Sequence, residues 1–193
     1  MKILAFGHQK RVGKDTACRF AATQLRLMFG LNNIQKKGFA DKVKSQCYEL
    51  FAWGGLQPAH YYDEPSNLAK REEILPLLGM TPRQLWIGHG MACRTYYPDA
   101  WIHALLKGTA AEFLLISDLR FPNEAKAIQE LGGWVVKIVR PSVPHTSDAA
   151  DDPLLDFNGW NTQIVNEGSL NDFMIKITAF LEKIMTDPSA FKF

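Results

Sequence analysis

Long hydrophobic runs are missing from this sequence of 193 residues. No stretch approaches the about 18 consecutive apolar residues of a membrane-spanning helix. The opening Met1-Lys2-Ile3-Leu4-Ala5-Phe6 is too short for a secretory signal, and Lys10-Arg11 soon follows it. A soluble, cytoplasmic protein is expected. Cysteine is scarce: Cys18, Cys47 and Cys93 are odd in number and show no C-x-x-C spacing. That argues against a disulfide framework and a structural zinc site, and suits buried thiols in a reducing compartment. Neither sign of charge dominates, since 22 Lys and Arg against 20 Asp and Glu leave a formal net charge of +2. Nucleic-acid-binding domains carry a much stronger basic excess or stripe. Repeats and low-complexity tracts do not occur. What is present is ordinary globular material, 47% apolar and 22% charged. Its length suits one domain, and at this size folding buries roughly 70% of the unfolded chain's surface without metals or cross-links.

Short apolar runs alternate with helical patterns. Ile3 to Phe6 reads as a strand that breaks at Gly7 into a polar, basic loop. From Lys14, the residues Ala17, Phe20, Ala21, Leu25 and Met28 recur at helical steps until Gly30. A second strand is predicted over Ile34–Phe39, then a helix after Asp41 with Val43, Cys47, Leu50 and Phe51 on one side. Trp53 to Pro65 reads as a loop, and Ser66 as the cap of a helix carrying Leu68, Ile74 and Leu75. Thr81-Pro82-Arg83-Gln84 has a cap, a first-position proline and a Gln three residues after the cap. Another helix follows Pro98, with Trp101, Ile102 and Leu105 on its apolar face. Phe113 to Ile116 is apolar throughout, as in a strand covered on both faces. A helix from Pro122 closes at Gly132-Gly133, and Trp134 to Val139 forms the next strand. Arg140 to Trp160 reads as a long loop and Thr162–Val165 as a last strand, before a helix whose capping box is Ser169 and Asp172. This alternation predicts an α/β fold with a central parallel sheet flanked by helices. In such sheets ligands bind beyond the carboxyl ends of the strands.

The chemistry-bearing residues follow strands. Gly13-Lys14-Asp15-Thr16 opens a helix directly after the first strand. Backbone N–H groups turned inward at a helix start, with a lysine reaching outward, make a phosphate cradle. Two departures stand out. Five residues separate Gly7 from Gly13 where the usual pattern has four, so His8 falls where the first glycine belongs. Asp15 occupies the place of the usual metal-binding hydroxyl, with Thr16 one step later. Asp118 ends the apolar strand, where such folds place a carboxylate near magnesium, and Arg120 follows two residues on. Lys44, Arg83, Arg94 and Arg140 recur at other junctions. Transfer between two phosphates needs such cations, because donor, acceptor and transition state are all anionic. A phosphate acceptor is already ionised, so no histidine base is required.

Together these blocks resemble the deoxynucleoside monophosphate kinases encoded by bacteriophages, a branch of the P-loop kinases. The resemblance rests on Lys10 to Thr16; on Thr81-Pro82-Arg83-Gln84-Leu85 with Gly88, Arg94 and Trp101; on Asp118 to Ala125 with Leu131-Gly132-Gly133 and Val139-Arg140-Pro141; and on His145 to Asp148 and Asn166 to Leu170. Residues 53–80 carry little of it. His89 departs from the small hydroxylated residue common after the glycine, which leaves nucleotide choice open. The resemblance implies a three-layer P-loop kinase fold in a single domain, with a helical monophosphate-binding segment at 41–107 and a lid at 140–160. It implies transfer of the γ-phosphoryl of ATP to a deoxynucleoside monophosphate, with Mg2+, in the host cytoplasm if the chain is phage-encoded. Arg11, Val12, Gly13, Lys14, Asp15 and Thr16 would cradle the ATP phosphates, and Arg140 and Asn166 would serve the same nucleotide. Lys14, Asp118 and Arg120 would be catalytic, with Asp118 and either Asp15 or Thr16 at the metal. Lys44, Arg83, Arg94, Trp101, Glu124 and His145 would serve the acceptor. Family members are often dimeric, which leaves a homodimer open; no nucleic-acid or membrane partner is expected. The alternatives are a P-loop kinase for another phosphorylated acceptor and a P-loop NTPase switch, although no Asn/Thr-Lys-x-Asp element for guanine occurs.

Overall fold

A computed structural model describes residues 1–144, 152–187 and 190–191. The chain divides into two compact units, one comprising Met1–Gly38 with Thr109–Phe193 and the other Phe39–Gly108.

The first unit is a five-stranded parallel sheet. Its strands are β1 (Lys2–Gly7), β2 (Ile34–Lys37), β3 (Phe113–Leu119), β4 (Trp134–Val139) and β5 (Thr162–Val165). They are ordered β2-β3-β1-β4-β5, and every neighbouring pair is parallel. Parallel strands need crossovers: α1 (Lys14–Phe29) carries the chain from β1 to β2 and α6 (Pro122–Glu130) from β3 to β4, while α7 (Leu170–Thr186) follows the last strand. The side-chain period of two then divides the sheet's residues between its faces. Leu4, Phe6, Phe113, Leu115, Val136 and Ile138 pack with Ala17, Ala21 and Leu25 of α1 and Phe173, Ile177 and Leu181 of α7. Ile3 and its neighbours on the other face meet α6, where Ile128 and Ile3 crowd Gly133. The result is a three-layer α/β fold consistent with a P-loop kinase fold. Full burial of each Leu, Ile, Val or Phe side chain among them contributes about 1.5–3 kcal/mol. The edge strand β2 is polar, ending Lys36-Lys37, and lysines at an edge discourage pairing with another chain.

The sheet order creates a topological switch. The chain leaves β1 towards β2 and leaves β3 towards β4, so the adjacent carboxyl ends of β1 and β3 flank a crevice. There the pairing slips: Ala5 faces Ile116, but Gly7 faces Leu119. The extra residue lies on β3, at Ser117-Asp118, and such a bulge re-aims side chains beside a site.

The second unit is helical: α2 (Phe39–Phe51), α3 (Ala59–Asp63), α4 (Pro82–Tyr96) and α5 (Ala100–Leu106). Three sequence expectations need correction here. The predicted strand Ile34–Phe39 stops at Lys37, and Phe39 instead opens α2, buried with Val43 and Cys47. The predicted 53–65 loop contains α3, which buries Tyr62. Ser66 caps no helix: a 3-10 helix runs over Pro65–Glu72 from Pro at its first turn, and Leu75 pairs with Met80 in an isolated bridge. The Thr81 cap is as predicted, with Thr81 and Gln84 each satisfying the other's backbone N–H. No helix among the described residues is long and apolar enough to cross a membrane.

Candidate functional site

The loop between β1 and α1 has unusual backbone geometry. His8, Arg11 and Gly13 take positive φ values of 97°, 63° and 104°. For His8 and Arg11 this costs about 1 kcal/mol or more each, and such strain gathers at functional sites. His8 therefore adopts the left-handed conformation that a glycine at its position would take freely. Alternation of right- and left-handed residues turns successive N–H groups inward, into an anion-binding concavity. Gly13 is required on two counts, since a Cβ there would lie 2.6 Å from Asn166 Nδ2 besides being held at φ 104°.

Lys14 is buried, and its ammonium curls back over the loop. Nζ donates to the carbonyl of His8 at 2.7 Å and also to that of Gln9. An ammonium held by carbonyl oxygens at the mouth of an N–H cradle can be handed to phosphate oxygens. Beneath it, Asn166 Nδ2 donates to the Val12 carbonyl at 2.8 Å. The turn bearing Asn166 is itself fixed, because Lys176 Nζ donates to Val165 O and pairs with Glu167, both at 3.0 Å. Ser169 and Asp172 close the capping box of α7, and the Ser169 hydroxyl bond holds the exposed Asp172 carboxyl below its ordinary value.

Asp15 points outward, 84% exposed, with its carboxylate 3.8 Å from Lys36. Thr16 is half-buried beside it, and a groove of about 420 Å³ runs past Asp15 and Thr16 to Arg19, Arg26 and Lys36. Asp118 lies in the β3 bulge, one residue before the partner of Gly7. Arg120 follows, its backbone N–H held at 2.9 Å by Glu124 Oε2, which also accepts from Phe121 N at 3.1 Å. Glu124 is fully buried and thus shapes the main chain that carries Arg120. Arg140 is exposed after β4. His145 lies outside the described residues. Within the expected lid, 152–154 form a 3-10 turn, and the end of the segment is fastened. Gln129 Nε2 donates to Gly159 O, Asn161 Oδ1 accepts from Val135 N at 2.8 Å, and Trp160 sits so close over Gly7 that a Cβ there would meet its ring at 2.6 Å.

In the helical unit, Lys44 on α2 lies 3.9 Å from Asp63 and 5.3 Å above the Trp86 ring. Arg83 on α4 lies 3.8 Å from Glu72. Arg94, eleven residues further along α4, is about 16 Å away by helical rise and donates to Pro98 O at 3.3 Å. Trp101 is buried, its Nε1 donating to the Gly90 carbonyl at 3.0 Å and so tying α5 to α4. His89 pairs with Gln46 at 3.0 Å. The left-handed His8 and Arg11, the bulge at Asp118 and the Val12–Asn166 bond leave no mark in residue spacing; the one hint was His8 in a glycine's place.

No protein-family model matches the chain. Along most of its length it is similar to a protein of Acanthamoeba polyphaga mimivirus named "Putative deoxynucleotide monophosphate kinase", with 26% identity covering 90% of this chain and 92% of that protein.

Proposed function

We propose that this chain is a deoxynucleoside monophosphate kinase, transferring the γ-phosphoryl of ATP to a deoxynucleoside monophosphate to give the diphosphate. The observation that carries the reading is the buried Lys14, folded onto the carbonyls of a strained loop at the head of β1. The name of the viral relative supports the kinase class.

In this reading the N–H groups of Arg11 to Thr16 receive the ATP phosphates, and Arg140 adds a cation from the end of β4. Lys14 exchanges two carbonyls for phosphate oxygens and follows the γ-phosphoryl as it moves. An acceptor phosphate oxygen attacks the γ-phosphorus, the bond to the β–γ bridging oxygen breaks, and ADP leaves with that electron pair. The acceptor is ionised beforehand, so no side chain takes a proton. Arg120 stabilises charge on the transferring group. Its main chain is preset by Glu124, which conserves orientation during the reaction. Asp118 and the hydroxyl of Thr16 would offer hard oxygen donors of the kind Mg2+ takes. The outward carboxylate of Asp15 favours Thr16 over Asp15 in that role. Held by these residues, magnesium would supply neutralisation of phosphate charge. Lys44 and Arg83 bind the phosphate of the acceptor, Arg94 a more distant part of the same nucleotide, and Trp101 supports them by holding α5 against α4. The adenine of ATP lies by the turn 166–169, with Asn166 bracing the loop.

Incubation with γ-labelled ATP, magnesium and a mixture of deoxynucleoside monophosphates tests this. Label is expected in a deoxynucleoside diphosphate; label released only as inorganic phosphate contradicts the reading.

A further inference from the structure

Two cations of the helical unit share one carboxylate, and a third faces the carboxylate of the residue next in sequence to Arg71. Asp63 of α3 is shared by Lys44 at 3.9 Å and Arg71 at 2.7 Å, and Glu72, the residue after Arg71, faces Arg83 at 3.8 Å. These groups come from α2, α3, the 3-10 helix and α4. Arg71 lies in the stretch with least motif content, and no local sequence signal marks it. It is oriented firmly: Nε donates to Tyr62 O at 3.0 Å, and Tyr62 is buried edge-on against Trp86, beneath Lys44. The cations are partly sheltered, with side chains 21% (Lys44), 30% (Arg71) and 31% (Arg83) exposed, whereas Asp63 is 58% exposed. Asp63 also walls a groove of about 430 Å³ shared with Asp41, Ser45 and His60.

Gathering cations is costly unless anions attend them, and a planar guanidinium suits bidentate binding of either carboxylate or phosphate. We infer that Arg71 is a third phosphate-binding residue beside Lys44 and Arg83, and that Asp63 is the internal anion which the acceptor's phosphate displaces. This rests on the acceptor role proposed for the helical unit. It departs from a plain structural salt bridge in a way that can be measured. If Arg71 and Asp63 only brace each other, removing either partner has the same consequence. If Asp63 competes with phosphate, the two removals act in opposite directions.

The full chain, labelled with 15N at tryptophan, is titrated with 2-deoxyribose 5-phosphate in the presence of a magnesium complex of a non-hydrolysable ATP analogue, which fills the phosphate loop. The Trp86 indole N–H, assigned through Trp86→Phe, reports locally. Arg71→Ala is expected to raise the midpoint about tenfold or more, the loss of a charge-assisted phosphate bond. Arg71→Lys is expected to fall between, and Asp63→Asn to lower the midpoint about twofold or more. A midpoint unchanged in Arg71→Ala, or raised alike in Arg71→Ala and Asp63→Asn, overturns the inference. Should Arg71→Ala unfold, Arg71→Lys against Asp63→Asn makes the same comparison. Failure of the kinase reading is distinguishable: opposite midpoint shifts in a protein that phosphorylates no monophosphate keep the anion seat and discard the reaction.

Discussion

The side-chain amide of Asn166 donates to the backbone carbonyl of Val12 at 2.8 Å, across 154 residues of sequence. The bond ties the turn after the last strand to the loop after the first, and Gly13 leaves just enough room for it. Asn166→Ala removes the brace without touching a phosphate. A hydrogen bond of this kind contributes about 1 kcal/mol, so ATP affinity is expected to fall about fivefold with the fold intact. Isothermal titration with MgATP and a thermal unfolding scan check both halves.

The loop's strain makes two opposite predictions. Gly13→Ala places a methyl group against Asn166 at φ 104°, and should lower the unfolding temperature and abolish most activity. His8→Gly relieves a positive φ of 97° and should stabilise the protein by about 1 kcal/mol. Chemical denaturation of both variants beside the parent is the measurement. Destabilisation by His8→Gly would mean that the histidine ring contributes more than its backbone costs.

Lys14→Ala should reduce turnover by several orders of magnitude in a folded protein, about the scale expected when a central charge is lost from phosphoryl transfer. Arg120→Ala should reduce turnover more than ATP binding, since the proposed role puts its charge on the transferring group in the transition state. Steady-state kinetics with direct ATP-binding measurements separate the two effects. Near-normal turnover in folded Lys14→Ala would remove the phosphate-loop assignment.

Much of this architecture was legible because its determinants are local. The strands Trp134–Val139 and Thr162–Val165 stand where apolar runs and turn residues placed them. The Thr81 and Ser169 caps depend on side chains three residues away. Residues 53–80 were opaque for the complementary reason. A five-residue helix and a 3-10 segment have too few turns to show a period, and they are held by packing of Tyr62 and by Arg71, not by an amphipathic stripe. Glu124 shows the limit at the site itself. The resemblance assigned it to the acceptor site, and its complete burial under the N–H groups of Arg120 and Phe121, set by the local start of α6, carries no mark in the sequence. The bulge at Asp118 and the Asn166 brace exist only once distant strands are assembled.

The thiols give a pH prediction. Burial pushes Cys18 up to about 12 and Cys47 up to about 11, from an ordinary 9.0. Folding therefore keeps both protonated where the unfolded chain has lost the proton. Their contribution is fully present below pH 9.0 and is lost as pH rises towards 11 and 12. At pH 8.5 iodoacetamide should modify Cys93, which is half-exposed, and spare Cys18 and Cys47 until denaturant is added. Mass spectrometry of the labelled peptides reads this directly.

The central claim is that a phosphate-bearing acceptor takes the γ-phosphoryl of ATP. Its most direct test is a coupled ADP-release assay of the purified chain with MgATP and each deoxynucleoside monophosphate in turn, beside an ATP-only control. ADP release that depends on one or more of the monophosphates, with the matching diphosphate as product, is the predicted result. ADP release that proceeds equally without any acceptor, or none with any monophosphate despite measurable ATP binding, would contradict it.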